Sequence, residues 1–141
     1  MIQTKFVITE LDAVASKLIK QFNWGDVVDV HGAMGFGKTT LIRAMIQAFD
    51  PTQTPASPTF AIMSVHPLRH PNAFVHIDAY RIQSAQELIN LGIDQLDLDH
   101  AITFVEWCER IPSEMLTPNK KLTLSLGQSE HERIIQYDEI E

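Results

Sequence analysis

The chain contains a single cysteine, Cys108, among its 141 residues. That excludes an internal disulfide and a zinc site built on paired thiolates, and it suits a reducing compartment. No apolar run approaches the ~20 residues that a membrane-spanning helix needs. The opening "MIQTKFVITE" lacks the long apolar core and small-residue cleavage site of a secretory signal. A soluble, cytoplasmic protein is therefore expected. A basic patch is also missing. Residues 1–93 carry seven acidic and seven basic side chains, whereas residues 94–141 carry eleven and four, so the net charge of -7 comes from the last third. With only Lys120-Lys121 as a basic pair, direct gripping of nucleic-acid phosphates is not expected.

What is present fits one globular α/β domain over residues 1–141, with 45% hydrophobic residues and no repeat or linker. Leu11, Val14, Ala15, Leu18, Ile19 and Phe22 recur at helical spacing, with Thr9 placed to cap them. Val27 to His31 reads as a short strand, and "TTLIRAMIQAF" as a helix buried against a sheet and stopped at Asp50-Pro51. A Pro/Thr/Ser loop leads to the strand-like "FAIMSV". "AFVHIDAY" reads as another strand. Ser84 and Glu87 form a capping box for "AQELINL", which Gly92 closes. "AITFVEW" suits a strand covered on both faces, and the segment from Lys120 reads as an antiparallel hairpin turning near Gly127.

The chemistry concentrates in "HGAMGFGKTT". Gly32, four residues, Gly37, Lys38 and Thr39 satisfy the phosphate-loop pattern G-x-x-x-x-G-K-[ST]. The glycines let successive backbone N–H groups face phosphate oxygens, Lys38 sets a cation against the outer phosphates, and the Thr39 hydroxyl serves Mg2+. A strand before and a helix after supply the required context and a positive helix N-terminus. Gly35 adds room for close approach, while the side chains of Met34 and Phe36 are expected to point away and pack. Hydrolysis also needs carboxylates. Two strands end in one each, Asp78 and Glu106, and the carboxyl ends of strands face the ligand crevice of an open α/β sheet. Asp78 is the candidate for the metal sphere, and Glu106 for orienting or deprotonating water.

The strings "GAMGFGKTTL", "SPTF", "HIDAYRI", "ELINLGI" and "FVEWCERIP", in this order, resemble the bacterial TsaE (YjeE) family of small P-loop ATPases. The resemblance runs from about Thr9 to the hairpin. It implies a three-layer P-loop NTPase fold with a mostly parallel central sheet and the C-terminal hairpin at its edge. It further implies ATP/ADP and Mg2+ as ligands, with Gly35, Phe36, Gly37, Lys38, Thr39 and Thr40 at the phosphates and metal. Ser57, Pro58 and Thr59 match a switch-like loop that approaches the nucleotide. Asp78 matches the acidic metal-site residue, with Glu106 a second candidate there, and Glu106 with Trp107 matches a pair that activity needs, Trp107 being also a candidate nucleotide or partner contact. The implied role is ATP hydrolysis that supports the TsaB–TsaD pair in making N6-threonylcarbamoyladenosine in tRNA, the partners holding the tRNA.

Three positions depart from the family pattern: Ala33 stands where an acid is usual, Phe36 where a small residue is usual, and Cys108 where proline is common. Slow turnover alone, raised by partners, is expected because the chain has only five arginines, Arg81 the nearest to a site residue, and none is well placed to stabilise transition-state charge. The competing readings are a small-molecule kinase and a nucleotide-gated binding module with little turnover. His66 and His70 share zinc-like spacing, but Pro67 and Pro71 make that segment a loop. His76, alternating with Val75 and Ile77, is expected to face a neighbouring layer, Trp24 and Cys108 to pack, and Tyr80 and Arg81 to lie at a contact or a strand edge.

Overall fold

A computed structural model describes residues 2–53 and 62–140. Seven strands form one sheet: β1 (Ile2–Val7), β2 (Val27–His31), β3 (Met63–Pro67), β4 (Ala73–Asp78), β5 (Ala101–Glu106), β6 (Lys120–Leu126) and β7 (Glu132–Glu139). Their order is β1-β7-β6-β2-β5-β4-β3. The four central strands β6, β2, β5 and β4 run parallel, while β1, β7 and β3 are antiparallel to their neighbours. The helices are α1 (Leu11–Leu18), α2 (Lys38–Phe49) and α3 (Ala85–Asn90).

Strand alternation sends side chains to two cores. On one face Val28, Val30, Phe74, Phe104 and Leu122 meet Val14 and Leu18 of α1 and Leu41, Ile42, Met45 and Ile46 of α2. On the other, Val75, Ile77 and Val105 meet Leu88 of α3, Ile93 and Ile111. Every residue of β5 is buried, as its unbroken apolar run requires. Trp24 packs edge-on against Phe49 and tilted against Phe74. The result is the α/β three-layer arrangement that the sequence implies.

Four local expectations change. Strand β1, where no element is expected from the sequence although Gln3 and Lys5 alternate with Thr4 and Phe6, pairs with β7 from Ile2↔Tyr137 to Val7↔Glu132. The hairpin β6–β7 is therefore not the edge: β1 lies outside it, and β6 is the parallel neighbour of β2. Thr9 lies inside a 3-10 turn, Ile8–Glu10, and caps nothing; the Glu10 carboxylate accepts the Val7 N–H at 3.0 Å instead. Ser84 occupies the N-cap position of α3 without a side-chain bond, and Glu87 reaches the Gln83 N–H at 3.4 Å. Gly92 closes α3 in the left-handed region as expected. The strand-like run "FAIMSV" begins outside the described residues and continues as β3.

Candidate active site

The loop after β2 leads into α2 at Lys38 through Gly37, whose φ of 96° is a conformation that side chains other than glycine's resist. A Cβ built on Gly35 or Gly37 would meet nothing within 4 Å, so packing does not require glycine at either position, and both line the cleft beside the N-terminus of α2. Lys38 is 6% exposed. Its Nζ donates to the Gly32 carbonyl at 2.7 Å and sits 4.0 Å from the centroid of the Trp107 ring. Burial holds its pKa below the ordinary lysine value, against the opposing pull of Glu106 and Asp78.

The parallel registers set the acids. Val30 pairs with Glu106 and Glu106 with Asp78, so one row across β2, β5 and β4 ends at the loop. The Thr39 hydroxyl donates to Glu106 Oε2 at 2.7 Å. His76 Nε2 lies 2.7 Å from that same oxygen. Glu106 is 3% exposed, a depth a carboxylate tolerates only with such partners. Asp78 Oδ1 accepts the Tyr80 N–H at 3.1 Å. Lys38, Thr39, Thr40, Asp78, Glu106 and Trp107 thus line one cleft of about 290 Å3, with Met34, Gly35, Tyr80 and Arg81 at its margins.

Trp107 has φ 59° and ψ 45°, and among the described residues it is the only non-glycine with positive φ. A left-handed tryptophan persists only where its surroundings hold it. Those are the Lys38 ammonium, the Tyr80 ring 5.1 Å away, and Arg110, whose guanidinium covers both rings and donates to the Tyr80 carbonyl.

A second, mostly apolar pocket of about 230 Å3 shares Gly37 and Thr40 with the cleft and is walled by Phe6, Ile8, Leu11, Phe36 and Leu124. Arg133 lines it and donates through Nε to the Phe36 carbonyl at 3.1 Å, tying the loop to β7. Phe36 packs against the first core, as expected, and so forms one wall here. Met34 differs: it is 61% exposed rather than packed.

Of the residues singled out in the sequence, Gly35, Gly37, Lys38, Thr39, Thr40, Asp78, Glu106 and Trp107 come together. Ser57, Pro58 and Thr59 lie outside the described residues. Sequence reasoning missed the tie of His76 to Glu106, Arg110 over the two rings, and Arg133 on the loop. The first had a signal: in "HID" the histidine falls two residues before the strand-end acid, hence on its face. Arg110 stands three residues after Trp107 in one 3-10 turn, a spacing visible in the sequence, but its cover of Tyr80 crosses between elements, as does the contact of Arg133 with Phe36, and these gave no signal. No group of three or more metal-ligating His, Cys, Asp or Glu occurs among the described residues. The loop expected over His66 and His70 holds only for His70: His66 and Pro67 lie in β3, opposite Phe74 and Ala73, because the edge strand runs on through the proline before the chain turns.

Cys108 is buried in the second core with Val105 and Ile111, and burial pushes its thiol up from an ordinary value of 9.0 to about 11. A raised thiol leaves the folded state unpenalised below the ordinary value and costs stability as pH climbs through the folded one. Iodoacetamide at pH 8 is expected to leave Cys108 unmodified in the native protein and to label it fully in urea. Equal labelling rates would show an open, reactive thiol.

Among the described residues no helix is long and apolar enough to cross a membrane. The family model for "Threonylcarbamoyl adenosine biosynthesis protein TsaE" matches residues 7–135. A Mycobacterium tuberculosis protein named tRNA threonylcarbamoyladenosine biosynthesis protein TsaE is 37% identical over 110 residues, covering 72% of this chain and 65% of that protein's length. The match thus spans just under two thirds of the mycobacterial relative. Proteins of the same name from Streptomyces coelicolor and Treponema pallidum are 34% and 28% identical, covering 77% and 80% of this chain and 74% and 78% of theirs. Bacillus subtilis YdiB, a crystal structure, superposes with a TM-score of 0.71 at 22% identity, covering 99% of this chain and 86% of its own, a likeness of fold. With the family model matched across most of its length and a relative above 30% identity over more than two thirds of it, this chain belongs to the TsaE family.

Proposed function

We propose that this chain is a Mg2+-dependent ATPase that acts in making N6-threonylcarbamoyladenosine in tRNA, together with the TsaB–TsaD pair. The observation that carries the reading is the convergence of Lys38, Thr39 and Glu106 at the mouth of one glycine loop. Family membership supports the pathway, and the absence of a basic patch in the sequence fits tRNA held by partners rather than by this chain.

The residues fit a hard divalent cation. The hydroxyl of Thr39 and the carboxylates of Glu106 and Asp78 are oxygen donors of the kind Mg2+ takes, alongside water and phosphate oxygens. When bound, Mg2+ neutralises charge on the outer phosphates. The bond between Thr39 and Glu106 favours Glu106 as the metal-side acid, which leaves Asp78, its register partner, on the side of the attacking water. This exchanges the roles that strand position alone suggests. Lys38 holds the outer phosphate once it exchanges the Gly32 carbonyl for phosphate oxygen. The apolar pocket behind Gly37 and Thr40 suits a purine, with Phe6 and Phe36 as walls. Arg81 at the margin is exposed, so its long side chain must be ordered before it can stabilise charge in the transition state. A docking partner supplies that order, and this is the reading's reason for slow turnover alone.

The test is phosphate release from ATP and Mg2+ by the purified chain, alone and with purified TsaB–TsaD. Turnover is expected to be slow alone and to rise when the partners are added. Glu106→Gln is expected to lose on the order of 10²-fold in turnover while ADP still binds. Flat activity on adding the partners would sink the partnership. ADP formed without phosphate, dependent on an acceptor, would mark a kinase.

A further inference from the structure

His76 is fully buried in the middle of β4, on the face it shares with Phe74 and Asp78. A buried imidazole there needs a reason. Its Nδ1 finds no hydrogen-bond partner among the described residues. An apolar side chain of similar size would fill the position without that unpaired nitrogen. What compensates is Nε2, 2.7 Å from Glu106 Oε2. An ionised carboxylate only accepts, so the ring proton belongs on Nε2, where it is paired, and not on Nδ1, where it would be an orphaned donor.

The second donor to that oxygen is Thr39. Its hydroxyl is also the group that a cation in the cleft would recruit. Once the hydroxyl turns away, His76 is what still fixes the carboxylate, from a strand that cannot move without breaking its ladder to β5. We infer that His76 is a positioning residue that holds Glu106 in its cleft orientation through Nε2–H, whether or not Thr39 is engaged elsewhere. Its catalytic meaning rests on the ATPase reading; the placement itself does not.

Two measurements separate those. In a long-range proton–nitrogen spectrum of the full chain, His76 is expected to be the Nε2–H tautomer with a slowly exchanging proton, and Glu106→Ala is expected to shift that signal or lose it to exchange. A proton on Nδ1, or a signal indifferent to Glu106→Ala, overturns the inference. For turnover, His76→Leu removes the donor and His76→Gln restores an N–H in nearly the same place. The leucine variant is expected to lose about 30-fold in kcat with ADP affinity by calorimetry within about threefold, the scale found when a group that orients a metal ligand is removed. The glutamine variant should keep at least about a third of the parent rate. Equal impairment of both variants, or full activity of His76→Leu, overturns the positioning role. If His76→Leu does not fold, the parent spectrum and the glutamine variant still decide. A parent chain that shows the Nε2 proton yet releases no phosphate overturns the ATPase reading and leaves the placement standing.

Discussion

Lys38→Met is expected to lower phosphate release on the order of 10³-fold while leaving the fold at least as stable as the parent. On the proposed ATPase reading, the loss of activity follows from removing the cation that would meet the outer phosphates. The stability follows from what the cation costs. Lys38 is buried, and burial holds its pKa down although Glu106 and Asp78 pull it up. A lysine with a depressed pKa binds its proton less readily folded than unfolded, so it penalises the folded state at every pH below its folded value. The penalty fades as pH rises towards the ordinary value of 10.5. Methionine removes the charge and keeps a soft contact on the Trp107 ring. Thermal melts at pH 7 and pH 9.5 check this, because any gain of the variant over the parent should shrink at the higher pH. A variant that melts several degrees below the parent would show that the Gly32 carbonyl and the Trp107 ring outweigh burial. Active sites that hold a destabilising charge for its chemistry behave in the first way.

Gly32→Ala is expected to destabilise the fold by about 3 kcal/mol, a large share of the ~5–15 kcal/mol that typically separates folded from unfolded domains. A Cβ on Gly32 would lie 2.7 Å from the Leu124 carbonyl oxygen and 3.4 Å from the Leu124 Cβ. That oxygen belongs to β6, the parallel neighbour of β2, and neither strand can yield without opening their shared ladder. Urea unfolding gives the number. Gly37→Ala is the contrast: its Cβ would meet no atom, so the cost is the left-handed backbone alone, about 1–2 kcal/mol. If both variants lose the same amount, the clash at Leu124 is relieved by a shift and the tight seam between loop and β6 does not exist. The pattern G-x-x-x-x-G explains its first glycine by the phosphate. Here that glycine is equally a packing requirement of the sheet.

Local periodicity found β2, α2, β4, β5 and the hairpin because each buries a face or is buried outright, and burial leaves a pattern in the chain. Strand β1 alternates too, with Gln3 and Lys5 exposed and Phe6 buried, but so short a run does not say what it pairs with, and its place comes from β7 at the other end of the sequence. Caps were misread for a related reason. Thr9 and Ser84 have the right chemistry, but a cap needs a backbone geometry that the neighbouring packing sets, and a 3-10 turn or a competing Glu87 bond takes its place. Strand-end acids were visible as a pair. Which of them meets Thr39 depended on the order β2-β5-β4, and that order places the strand of Glu106 next to the loop strand.

The sequence by itself determined the phosphate loop, the two carboxylates and the family, because those depend on residue types at fixed spacing along one backbone. Only the tertiary structure decided that His76 braces Glu106, that Lys38 lies against Trp107, that Arg110 covers Tyr80 and Trp107, and that Arg133 ties the loop to β7. Apart from that of Arg110 on Trp107, three residues apart, each of these is a contact between elements far apart in the chain. Its existence rests on sheet register and strand order, which come from the balance of the whole core rather than from any local stretch.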